Sequence, residues 1–207
     1  MRDLLRRAAL ALILVSGEAG AELATRPFTV EAAVGIHSRH TDAYTDTLGQ
    51  FGYHEEVALL PDGHYDLAFA CRANPRIEVA ATIGSLSEGH YLRSRDSVTT
   101  TFDWDSHAAT AMVRGVIGDP PINAFVEVGG GLAWVSTDLA KGTDAHDRET
   151  QVGSALRGGL GFRMIGPWGI GWVVKLRRTW APVLANLYDE RHDLGGTSFE
   201  VGVCYGW

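Results

Sequence analysis

The last thirteen residues, Gly195 to Trp207, read GGTSFEVGVCYGW. Phe199, Val201, Val203, Tyr205 and Trp207 share one parity, and Ser198, Glu200, Gly202, Cys204 and Gly206 share the other. Strand side chains alternate between two faces, so this stretch predicts a strand with one apolar face and one small or charged face. Five large apolar groups in a row meet either a protein core or lipid.

Seven earlier stretches repeat the alternation. Phe28, Val30, Ala32, Val34 and Ile36 oppose Glu31 and His37, and Tyr65, Leu67, Phe69 and Cys71 oppose Asp66 and Arg72. Ile77, Val79, Ala81 and Ile83 oppose Arg76 and Glu78. Ala109, Ala111 and Val113 oppose Arg114, while Phe102 and Trp104 break the parity and predict a slip or bulge near Ser106. Ala124, Val126, Val128, Leu132 and Trp134 oppose Phe125 and Glu127; Leu156, Leu160, Phe162 and Met164 oppose Arg157 and Arg163. Trp168, Ile170, Trp172, Val174 and Leu176 oppose Lys175 and Arg177. The terminal strand makes eight, and no stretch of the mature chain carries a sustained helical period.

The connections alternate as strictly as the residues. Those near 74–76, 118–122 and 165–167 are tight and contain Pro, whereas those near 39–64, 86–104, 137–149 and 181–196 are long and polar. Every long connection therefore falls at one end. Residues 1–21 predict an export signal: Arg2, Arg6 and Arg7, then the apolar run Ala8 to Val15, then Ala19-Gly20-Ala21 before Glu22. That leaves residues 22–207 as one domain.

Composition narrows the function. A net charge of −7 gives no basic patch for nucleic acid. Two cysteines make no disulfide framework, and their opposite parities predict free thiols. The run Gly129 to Gly131 lies inside a strand with no helix after it, so no phosphate cradle and no cofactor are expected.

The side opposite the apolar stripes carries Glu31, Asp66, Arg72, Arg76, Glu78, Arg114, Glu127, Arg157, Arg163, Lys175, Arg177 and Glu200. In a soluble lipocalin-like barrel these would face water around an apolar interior. Runs of the length a tilted bilayer-crossing strand needs, about 9–11 residues, favour the opposite arrangement, with an apolar outside and a polar lumen. The predicted fold is all-β, an eight-stranded antiparallel up-and-down transmembrane barrel. Seven cations against five carboxylates predict a lumen plugged by salt bridges. Phe28, Phe125, Phe162, Trp168, Tyr205 and Trp207 are expected in one interfacial girdle, and Tyr65, Trp104, Trp134 and Trp180 in the other.

With these features the chain resembles the small eight-stranded outer-membrane barrels of Gram-negative bacteria: the transmembrane part of the outer membrane protein A family, outer membrane protein X and the opacity-type porin-like proteins. The resemblance rests on architecture across about residues 22–207, on the stretch Asn123 to Leu132, and on the terminal strand. It implies residence in the outer membrane as a monomer, contact with its lipid and lipopolysaccharide, and an extracellular ligand, where there is one, held by the loops. It also implies that Val203, Tyr205 and Trp207 carry the signal read by the barrel-assembly machinery, although that family usually ends in Phe. Among related barrels, lipid A deacylases carry His-x-Ser-Asn on the penultimate strand; the stretch Lys175 to Trp180 has neither His nor Ser. Ser106-His107 are adjacent and so point to opposite faces. No catalytic residue and no metal are expected, and His40, His54, His64, His90, His146 and His192 read as solvated loop residues beside Asp144, Asp147 and Asp193. The expected role is structural and surface-interacting, with a small transport barrel of the outer membrane protein W type as the alternative and a lipid-modifying enzyme a distant third.

Overall fold

The computed structural model describes residues 27–39, 49–55, 63–95, 98–118, 121–141, 145–185 and 190–207. The export signal and parts of the long connections lie outside the described residues.

Eight strands form the wall: β1 (Phe28–Arg39), β3 (Gly63–Asn74), β4 (Ile77–Arg95), β5 (Val98–Ile117), β6 (Ile122–Lys141), β7 (Ala145–Ile165), β8 (Ile170–Trp180) and β11 (Gly196–Gly206). Each pairs antiparallel with its neighbour, and β1 pairs with β11 as well as β3, so the sheet closes. Closure leaves no open edge along the common height of the wall, so backbone groups there can pair within the sheet. Three short strands decorate the long-connection end: β2 (His54–Glu55) against β4, and β9 (Pro182–Ala185) with β10 (Glu190–Asp193). Gly118 and Gly169 adopt positive φ of 90° and 89° in the tight turns at the other end, a conformation glycine reaches without steric cost.

The wall is not of even height. Strands β4 to β7 run for 19, 20, 20 and 21 residues, whereas β1, β3, β8 and β11 have 12, 12, 11 and 11. The hairpin β4–β5 stays paired to Arg95 and Val98, and β6–β7 to Lys141 and Ala145. Two of the predicted long loops, 86–104 and 137–149, are therefore mostly strand. Cross-strand pairing satisfies their backbone as well as water would, and Leu86, Tyr91, Phe102 and Trp104 lie on the inner face.

The predicted irregularity near Ser106 is misplaced. β5 alternates without interruption from Phe102 to Ile117; Phe102, Trp104, Ser106, Ala108, Thr110, Met112 and Arg114 all point inward and are buried. The register shift lies on the partner strand, between Ser85 and Ser87 of β4, where Leu86 is the extra residue.

Candidate functional site: the barrel lumen and its outer rim

Inward parity places charges from all eight strands in one interior. Six cations (Arg72, Arg114, Arg157, Arg163, Lys175, Arg177) face five carboxylates (Glu31, Asp66, Glu78, Glu127, Glu200); all but Arg72 are fully buried. Arg76 is not among them. It projects from the turn between β3 and β4 into the open, because the strand starts only at Ile77 and the Arg76 amide is held by Asn74 Oδ1 at 2.9 Å.

The network has two tiers. Nearer the tight turns, Arg114 crosses the lumen from β5 to β1 and gives Glu31 a bidentate pair, Nη1 to Oε1 at 2.7 Å and Nη2 to Oε2 at 3.0 Å. Its Nε donates to Glu127 Oε2 at 2.8 Å. Arg163 donates to Glu78 Oε1 at 2.5 Å, and Arg72 donates to the same oxygen at 2.9 Å. Beneath the guanidinium of Arg114 lies the ring of Phe125, 4.7 Å to its centroid, with Arg163 at 5.9 Å on that ring. Phe125 therefore fills the lumen instead of joining a girdle. The place is open only because Gly161 carries no Cβ, which would collide with the ring.

In the second tier, Asp66 collects Lys175 at 2.8 Å, Arg157 at 2.9 Å and Arg177 at 2.6 Å, from strands on the far side of the barrel. Arg177 also pairs with Glu127, and with Glu200 at 3.1 Å. Glu200 is held further by Ser198 Oγ at 2.8 Å and by His64 Nε2 at 3.1 Å. Arg157 donates to Thr82 and Thr179 hydroxyls at 3.1 and 3.2 Å. His64, expected in a loop, is thus a buried member of the network on β3. Parity alone could have found it and Thr179, as it placed Ser198 on the face of Glu200.

Above the charges the interior changes character. Leu86, Tyr91, Phe102, Trp104, Ala108, Ala133, Val135, Ala155, Ala181 and Leu194 form one buried apolar cluster between the tall hairpins, with Tyr53 and Leu139 packed against it. Trp104 belongs to this cluster and not to the outer girdle.

The outer surface mirrors these tiers. Around the charges it is a continuous apolar belt that includes Val34, Leu67, Val128, Leu160, Trp172 and Val201, all exposed. At the tight-turn end, exposed Phe162, Trp168, Tyr205 and Trp207 line it, and the rings of Phe28 and Phe69 pack tilted against Trp207 at 5.9 and 6.3 Å. The backbones of Phe28 and Trp207 exchange two hydrogen bonds, 3.1 and 3.0 Å, which ties the first strand to the last. Val203, Tyr205 and Trp207 all face outward there. At the other end the rim holds Tyr65, His107, Trp134, Arg178 and Trp180.

Ser106 is buried inside while His107 lies on the outer face, so the two share no site. His107 instead meets Asp105 Oδ2 at 2.9 Å and Tyr65 Oη at 3.4 Å. Cys71 faces out and Cys204 in, on opposite sides of the wall, and both are free thiols. Among the described residues no group of His, Cys, Asp and Glu could hold a metal ion.

No family model and no curated protein matches the chain. Solved structures do. Neisserial surface protein A aligns over 87% of this chain and 97% of its own, at 14% identity and a TM-score of 0.51. Ail, the attachment invasion locus protein of Yersinia pestis, aligns over 87% and 99% at 12% identity and a TM-score of 0.47. The N-terminal β-barrel domain of Pseudomonas aeruginosa OprF aligns over 88% and 98% at 12% identity and a TM-score of 0.44. The first of these likenesses identifies the fold as that of the small eight-stranded barrels.

Proposed function

We propose that the chain is an integral outer-membrane barrel whose lumen is closed and whose work is done at the outer surface, by the tall hairpins and the long connections, without catalysis. The observation that carries this reading is the sense of the wall. A belt of Val, Leu, Ile, Phe and Trp faces outward at the height where fully buried arginines pair with carboxylates inside. Water outside that belt would strip the wall of its driving force, while lipid removes the cost of exposing it. A closed sheet is also the β-structure that crosses a bilayer with no backbone group unsatisfied.

Closure of the lumen is supported twice over. Guanidinium groups cross the interior to carboxylates on remote strands, and the apolar cluster lies above them. Val203, Tyr205 and Trp207, exposed on the closing strand, are the residues we assign to recognition by the assembly machinery.

Planar-bilayer recording of the refolded protein tests the closed lumen. Wild type is expected to show no steady conductance, and a variant that breaks both tiers, Glu127→Ala with Arg157→Ala, to show brief openings. A steady open channel in wild type would instead favour the transport barrel. Extraction into plain buffer without detergent, with no change of gel mobility on boiling, would defeat the membrane reading itself.

A further inference from the structure

Arg178 is a charged group on the outer face, at the edge of the apolar belt, that the closed lumen does not use. Arg178 follows Trp172, Val174 and Leu176 on the outward parity of β8 and precedes Trp180. Its guanidinium stands 5.7 Å from the Trp180 ring centroid and donates from Nη1 to Thr197 Oγ1 at 3.2 Å. Register puts four residues side by side across the wall: Gly158 on β7, Arg178 on β8, Thr197 on β11 and Ser38 on β1. The row directly beneath is Leu160, Leu176, Phe199 and Ile36, all exposed and apolar.

A lipid-facing arginine is unfavourable deep in a bilayer and is tolerated near its interface. Arg178 therefore marks the level of the headgroups. Of its five N–H donors, one is used by Thr197. Having accepted that bond, the Thr197 hydroxyl still has its own hydrogen to donate, and the Ser38 hydroxyl next to it is exposed. A Cβ at Gly158 would come no nearer than 3.7 Å to any neighbour, so this position leaves a shallow opening beside the guanidinium. On the far side of the rim the outward charges face one another across strands, Asp138 opposite Arg148 and Asp103 opposite His90.

We propose that Arg178, with Thr197 and Ser38, holds the phosphate of an outer-leaflet lipid whose acyl chains lie on Leu160, Leu176 and Phe199. A planar guanidinium and adjacent hydroxyls suit a phosphate, whose oxygens accept several charge-assisted bonds at once. The apolar row directly below is what selects a lipid over a free phosphate. This site rests on the membrane reading given above.

Native mass spectrometry of the refolded protein in detergent tests it, with bisphosphorylated lipid A and its dephosphorylated form as probes. Wild type should retain the phosphorylated lipid about tenfold better, the ratio expected of one charge-assisted bond. Arg178→Ala should abolish that preference, Arg178→Lys should keep part of it, and Gly158→Leu should weaken retention with the cation intact. Equal retention of both lipids by wild type, or an unchanged preference in Arg178→Ala, overturns the proposal. So does displacement by inorganic phosphate at the lipid's own concentration, which would make this a site for the free anion. Gel mobility before and after boiling separates the two failures. A wild type that shifts on boiling but shows no preference loses this site alone, and one that needs no detergent loses the membrane reading too.

Discussion

The lower and upper halves of the tall strands obey opposite rules. Below the rim, β5 turns Ala109, Ala111 and Val113 outward and Arg114 inward. Above it, the same unbroken strand turns Asp103 and Asp105 outward and Phe102 and Trp104 inward. β6 does likewise, with Val128 outside and Glu127 inside below, then Asp138 outside and Val135 inside above. One alternating backbone thus serves two solvents. Where lipid surrounds the wall the interior is charged, and where water surrounds it the interior is an ordinary apolar core. The difference teaches that the parity of the apolar residues reports the medium outside the strand, and not only its register.

The comparison can be broken most severely from inside. Replacing Glu31 by Ala removes the bidentate partner of Arg114 and one of the two carboxylates of Arg163, and should destabilise the barrel by about 3 kcal/mol in denaturant titrations in lipid. A result near zero would mean that water fills the lower lumen freely. The outer surface gives the next test. Val128→Arg, in the middle of the belt, should cost about 2–4 kcal/mol, whereas Ser136→Arg, on the same face and above the rim, should cost almost nothing. Equal costs would erase the distinction between the two media. In the upper core, Leu86→Ala should cost about 2–3 kcal/mol. Hydrogen exchange should show that loss in the tall hairpins first, since Leu86 packs in the cluster between them. The smallest effect is expected at the exposed pair His90 and Asp103, where His90→Ala should change stability by less than about 1 kcal/mol.

Much of this was legible in the chain. The alternation in β1, β3, β8 and β11 identifies their lumen residues because each of these strands spans a single medium. Parity also set Glu31, Asp66, Lys175 and Glu200 on the same side, though not against one another. The tall strands were harder to read. Phe102 and Trp104 suggested a slip because a change of medium and a change of register leave the same trace in a sequence. Phe125 looked like a girdle residue by its position along the strand, although its parity with Glu127 already placed it inside. Arg76 shares the parity of the lumen charges, but a residue in a turn does not inherit the face of the strand that follows.

By itself the sequence determined the number of wall strands, the alternation of connections and the face of the charges that lie within strands, because these depend on a period of two that needs no knowledge of the partner. Tertiary structure decided the rest. Which carboxylate meets which cation depends on barrel closure, which brings Arg114 to Glu31 and Lys175 to Asp66 across strands distant in sequence. The height at which the wall passes from one medium to the other likewise appears only when eight strands stand side by side. Arg178, Thr197 and Ser38 become neighbours there, on strands that the sequence keeps apart.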